Sequence, residues 1–172
     1  NFNPAKAEGS NDIALIRYNA YSDELETKIN NEVMVIQPQE NTVFKLISNE
    51  ASYTYVAYKD KNNDMKQNYL VLLTDNPKVK IFKRERITLI PEQHPTGGYQ
   101  KYKAPEYKKL NPEYYIQLNN GEIVYFSTKK SDVIELIPGK EKEIKQFLKE
   151  NKISTSDEED FTQLGAYLSS LI

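Results

Sequence analysis

Between residues 13 and 126 apolar side chains recur mostly at every second position, and beyond residue 129 they recur every three to four. The first period marks strands with one face buried and the second marks amphipathic helices. Residues 52–59 (SYTYVAYK) alternate cleanly, 60–64 (DKNND) read as a turn, and 68–74 (NYLVLLT) place Tyr69, Val71 and Leu73 on one face. That is a hairpin by pattern. Asn119-Asn120-Gly121 between two alternating runs, 114–118 and 122–127, signals a second hairpin. Ile16 and Tyr18 share a face of a strand that the SDELE segment closes. Val33, Met34, Val35 and Ile36 form an unbroken apolar run, predicting a strand buried on both sides. In 78–82, Lys alternates with Val79 and Ile81, the look of an edge or half-exposed strand. Residues 91–112 contain Pro91, Pro95, Pro105 and Pro112 and read as a long surface excursion. Loops of that length are commonly functional or disordered.

In the tail, Ser131 is placed to cap a short helix carrying Val133, Ile134, Leu136 and Ile137, which Pro138-Gly139 stops. Residues 140–150 set Ile144, Phe147 and Leu148 on one stripe, and Asn151 suits the end of that helix. Ser156 stands three residues before Glu159, the capping-box spacing, and the acids of 157–160 fit the positive end of a helix dipole. Phe161, Leu164, Leu168 and Leu171 form the last stripe. The expected fold is α+β: a mainly antiparallel sheet or barrel-like roll over residues 13–127, then two or three C-terminal helices. No repeat or linker divides the chain, so 1–172 reads as a single domain, with 1–10 a flexible N-terminal segment.

Composition adds three constraints. The 13 Tyr and 6 Phe supply core area that a 38% hydrophobic content would otherwise lack. With no cysteine, disulfides, thiolate metal sites and cysteine nucleophiles are excluded. No apolar run approaches a membrane-spanning length. Net charge is −2, which argues against a nucleic-acid partner. The charge is uneven, however: 78–109 holds nine Lys or Arg against three Glu, and the remainder is acidic. Such asymmetry marks a surface suited to an anionic partner.

The segment RYNAYSDELE, with SDVIELIPGKEKEIKQFLKENKI and a final DEED helix, resembles a family of exported, signal-peptide-bearing proteins of Bacteroidetes-type bacteria. The family's first strand motif is similar to L-R-Y-N-x-Y-x-x-E-x-E, met here by Leu15, Arg17, Tyr18, Asn19, Tyr21, Glu24 and Glu26 with Ile16 as an extra residue. Its tail is similar to K-K-D-L-L-K-L-x-P followed by a Lys/Glu helix and K-E-N-K. The resemblance implies export to the periplasm or beyond, a signal peptide removed before Asn1, and no established activity.

The motifs that would carry catalysis fail one by one. Asp60, Asn62 and Asp64 open like a calcium loop, but Met65 stands where glycine is needed and Val71 where a bidentate glutamate is needed. Ser127 and Lys130 have the S-x-x-K spacing without the accompanying elements of penicillin-binding enzymes. His94 is the only histidine, and Glu92 is its only neighbouring ligand type. Among 25 acids no pair is singled out, although Glu24 and Glu26 share a strand face near Arg17. No cofactor or metal motif is present.

What remains is a basic, aromatic surface: Lys78, Lys80, Arg84, Arg86, Tyr99, Lys101, Tyr102, Lys103, Tyr107, Lys108 and Lys109. It suits a protein or another anionic envelope component. The expected function is therefore a non-catalytic binding or interaction module of the cell envelope. The alternative is a carboxylate-dependent hydrolase of envelope glycans or peptides, with or without His94. Structural tyrosines lidding the sheet while lysine heads reach water would give the same composition.

Overall fold

A computed structural model describes residues 1–48, 51–98 and 100–172. Twelve strands precede three helices: β1 (Asn3–Ala7), β2 (Ile13–Asn19), β3 (Glu24–Ile29), β4 (Glu32–Val35), β5 (Val43–Leu46), β6 (Ser52–Lys59), β7 (Met65–Asp75), β8 (Val79–Arg84), β9 (Ile87–Ile90), β10 (Glu106–Lys109), β11 (Glu113–Leu118) and β12 (Ile123–Tyr125), then α1 (Lys130–Ile134), α2 (Glu141–Glu150) and α3 (Glu158–Leu171). Ten strands form one sheet in the order β12-β11-β8-β7-β6-β5-β1-β2-β3-β4, and β9 with β10 forms a separate arm.

The sheet closes because one edge of β6 is shared. Its first residues pair antiparallel with β5, and its last, Lys59, meets Val124 of β12 in parallel. Strands β6, β7, β8, β11 and β12 thereby make a small barrel, and β5-β1-β2-β3-β4 leave it as a wing. The barrel is filled by Val56, Tyr58, Leu70, Phe82, Tyr115 and Ile123. The wing packs Ala5, Ile16, Leu25 and Leu46 against Tyr69.

The helices cover the outer face of β8 and β11. Val79, Ile81 and Ile116 pack there with Ile144 and Leu148 of α2 and Phe161, Leu164 and Leu168 of α3. Each such fully buried side chain contributes about 1.5–3 kcal/mol. The exposed Lys140–Glu143 pair contributes well under about 1 kcal/mol, so burial holds the helices in place. Phe147 stacks on Tyr167 at 3.8 Å between centroids, which ties α2 to α3.

Local chemistry explains the turns. Asp60 Oδ1 accepts the amides of Asn62 and Asp64 at 2.8 and 3.0 Å, so the calcium-like spacing serves its own hairpin. Asn119 and Asn120 both take positive φ (50° and 56°), as the β11–β12 turn requires. At α3, Asp157 rather than Ser156 is the cap, accepting from the Glu159 amide at 3.1 Å, and Ser156 Oγ lies instead beside Ser154 Oγ. Helix α1 has Lys129 at its cap position and so no side-chain cap, while Ser131, already inside the helix, donates its hydroxyl to Asp132.

Three expectations are corrected and a fourth is narrowed. The segment 1–10, read as flexible, contains β1, held by ladders to β2 on one side and β5 on the other, with Ala5 1% exposed. The 33–36 run is not buried on both faces, since β4 is the outermost strand and all four of its residues are exposed. Strand β8 is the half-exposed strand that its alternation allowed and not an edge: it lies between β7 and β11, Val79 and Ile81 are buried, and Lys80 extends its ammonium to Asp75 at 3.2 Å. The 91–112 excursion is partly ordered as the β9–β10 arm, prolonged by a Gln93–Lys103 bridge.

Candidate binding site

The end of β8 brings Arg84 to one mouth of the barrel, and the β2–β3 turn brings Asp23 to meet it. Asp23 adopts a left-handed φ of 58°, which aims its carboxylate inward. Arg84 Nη2 donates to Asp23 Oδ2 at 2.5 Å, and Nη1 lies 3.5 Å from Glu113 Oε2. Glu113 also accepts from Arg86 at 2.8 Å and from the Tyr115 hydroxyl at 3.1 Å. Asp23 further accepts from the Tyr18 hydroxyl at 2.5 Å and from Asn68 at 3.3 Å, and Asn68 also donates to Tyr58. Arg84 Nε is buried without a partner.

Burial pulls the Arg84 guanidinium towards neutrality, but the hydrogen bond and charge of Asp23 outweigh it and hold the cation charged. Tyr18 is pushed far above the ordinary phenol range, first by burial and then by its bond to Asp23. The cluster is thus a compensated lock between turn and barrel. Its two acids face cations, and that arrangement anchors Arg84 and Arg86 rather than offering them to a partner.

Beside this lock runs a groove of about 410 Å³ lined by Arg17, Tyr18, Asn19, Ala20, Tyr21, Ile87 and Tyr107. The arm forms its far wall: Tyr107 meets Tyr21 edge-on at 5.1 Å, and the Ile87 amide donates to the Ala20 carbonyl at 3.3 Å. Glu26 is buried on the neighbouring strand face, bound by Arg17 and by Asn19. Burial would raise its pKa, yet those bonds and the Arg17 charge hold it below the usual glutamate value.

The predicted basic surface divides into two groups. Lys78 donates through its ammonium to the Ile172 carbonyl and through its amide to Ser169, so it moors the C-terminus. Lys80, Arg84 and Arg86 are each paired with a carboxylate. Lys101, Lys103, Lys108 and Lys109 are exposed on the arm, and among the described residues none forms an ion pair. Tyr107 is 65% exposed despite its contact with Tyr21. Tyr102 donates to Glu92 at 2.9 Å, and its ring lies 5.5 Å from that of His94. Tyr99 lies outside the described residues.

His94 is exposed and stands 3.5 Å from Glu92, its only acidic contact among the described residues. Among the described residues no group of three or more His, Asp or Glu is placed to hold a metal ion. No helix among them is long and apolar enough to cross a membrane. Sequence reasoning missed Asp23, Asn68 and Glu113. Glu113 becomes visible only once β8 and β11 are aligned, because it is the cross-strand partner of Arg84. No family model matches the chain, and no curated protein or solved structure proved similar to it, so its geometry alone carries the functional reading.

Proposed function

We propose that the protein is a non-catalytic binding module of the cell envelope, acting after export to the periplasm, and that the β9–β10 arm engages an acidic protein or another anionic envelope component. One observation carries this reading. Lys101, Lys103, Lys108 and Lys109 stand exposed and form no ion pair among the described residues, whereas Lys80, Arg84 and Arg86 are each paired with a carboxylate. Unpaired ammonium groups on a projecting arm raise the local concentration of anions and speed their capture. Tyr107 and Tyr102 add flat apolar area beside them.

A hydrolase using Asp23 and Glu113 as its carboxylate pair would have to release them from Arg84 and Arg86, which hold them at 2.5 and 2.8 Å. The binding reading needs no such rearrangement. It is tested by immobilising the protein and measuring retention of an acidic peptide library over a salt gradient. Retention falls with salt and disappears when the four arm lysines are changed to Glu. Unchanged retention by that variant removes the arm as the binding surface.

A further inference from the structure

The wing has an outer face that the barrel and helices leave uncovered. Lys6 of β1 and Lys45 of β5 are direct cross-strand partners, both exposed. Like charges facing each other across a ladder destabilise it. Among the described residues no carboxylate pairs with Lys6, Lys28 or Lys45; Glu8, just past the end of β1, pairs with none of them. Lys6 and Lys45 border a shallow hollow of about 350 Å³ whose other walls are Ile13, Leu46 and Ile47.

The registers fix which side chains share this outer face. The Ile47 amide bonds to Pro4, Pro4 pairs with Leu15, and the ladder that pairs Ile16 with Thr27 sets Leu15 beside Lys28. Lys28 pairs in turn with Val33, and Val35 with Glu26. Ile13, Leu15 and Ile47 are 45–60% exposed and form an apolar patch on this side of the sheet, which the charged outward row of β3, Glu26 and Lys28, separates from the exposed Val33 and Val35 of β4. Such a patch marks an interaction site. We infer that this face docks on an anionic lipid bilayer, with a headgroup phosphate between Lys6 and Lys45 and acyl chain against Ile13, Leu15 and Ile47.

Charge complementarity selects this occupant. A second copy stacked by a two-fold axis through the Lys6–Lys45 pair would set lysines against lysines. A bilayer presents phosphate and hydrocarbon together over the whole flat area, and each basic residue at its surface adds to the attraction. The arm is a separate surface, so this inference stands or falls independently of the function proposed above.

The test is flotation of the full chain with vesicles of phosphatidylcholine plus phosphatidylglycerol, and with phosphatidylcholine alone. The protein floats with the anionic vesicles only. Changing Lys6 and Lys45 together to Gln lowers the partition coefficient by about thirtyfold. Ile13→Ser with Leu15→Ser lowers it on the same vesicles, and a control variant with Lys142→Gln and Lys149→Gln on the exposed side of α2 floats as the unaltered protein does. All these positions are exposed, so the variants keep the fold, and unchanged thermal melting confirms it. No flotation, or flotation indifferent to Lys6 and Lys45, overturns the proposal. So does a concentration-dependent dimer in sedimentation that the Ile13 and Leu15 changes abolish, or an acidic protein that competes the vesicles away from the wing.

Discussion

Arg84 and Glu113 are cross-strand partners on β8 and β11, yet their charged atoms approach only to 3.5 Å, because Glu113 turns its other oxygen to Arg86 at 2.8 Å. The shorter contact of Arg84 is to Asp23, which arrives from the distant β2–β3 turn. One guanidinium therefore joins the wing to the barrel mouth.

Removing Asp23 leaves Arg84 partly buried with its main counter-charge gone. Asp23→Ala is expected to lower stability by about 3 kcal/mol, at the low end for a broken buried pair because both side chains keep some solvent contact. Arg84→Met is expected to lose less, and the double variant less than the sum of the two. Urea unfolding of the four proteins measures the coupling, and strict additivity would separate the two residues energetically.

Glu26 sets an acid-side dependence. Its folded pKa lies below its unfolded value of about 4.5, so the stability it contributes is present above that value and is lost as pH falls through the folded pKa. Glu26→Gln is expected to destabilise the protein near neutrality and to flatten the decline in unfolding midpoint below about pH 4.5. Parallel curves for the two proteins would exclude Glu26 as a contributor.

Gly165 on α3 passes close to the end of β7. A Cβ added there would stand 2.7 Å from Thr74 Oγ1 and 3.0 Å from Asn76 Nδ2. Thr74 is buried and β-branched, so it yields little. Helix propensity favours alanine by about 1 kcal/mol, whereas overpacking costs about 1–3 kcal/mol. Gly165→Ala should therefore lower the melting temperature, and in a Thr74→Ala background the same change should raise it.

Tyr107→Ala removes the edge-on contact with Tyr21, worth about 1 kcal/mol. Because the arm touches the body mainly there and through Ile87, amide exchange in β9 and β10 is expected to quicken while the global unfolding midpoint stays nearly unchanged. A global shift would mean that the arm is part of the cooperative core.

Tyr53 is pushed up to about 12 by burial and by the charge of Glu85. Ultraviolet titration of the folded protein should show its phenolate absent at pH values where an ordinary phenol, of pKa about 10, is already ionised. A Tyr53→Phe variant that leaves the late part of the titration intact would contradict the assignment.

Local signals carried much of this fold. The β6–β7 and β11–β12 hairpins followed from alternation and Asn-rich turns, and the stripe Phe161, Leu164 and Leu168 named the face of α3 that is buried. Position within the sheet was not local. Nothing in Val33–Met34–Val35 distinguishes a central strand from an outermost one, and the Lys alternation of β8 looks like an edge until Asp75 is seen to receive Lys80. Strand β1 was missed because its Pro4 and Lys6 mask a single buried Ala5. The basic surface was found as composition, but its division into neutralised and free lysines depends on acids far off in sequence, such as Asp23 for Arg84.

The forked edge of β6 makes that strand a common wall for two compartments. Its Ser52 end carries the wing through β5, and its Lys59 end shuts the barrel through one bridge to Val124, reinforced by Lys59 to Glu122 at 2.7 Å. A seam that narrow concentrates the closure of the barrel in a few atoms at the strand's end, while damage near its middle reaches both halves at once. Under mechanical load the barrel would open first at Lys59, well before the broad β6–β7 ladder gives way.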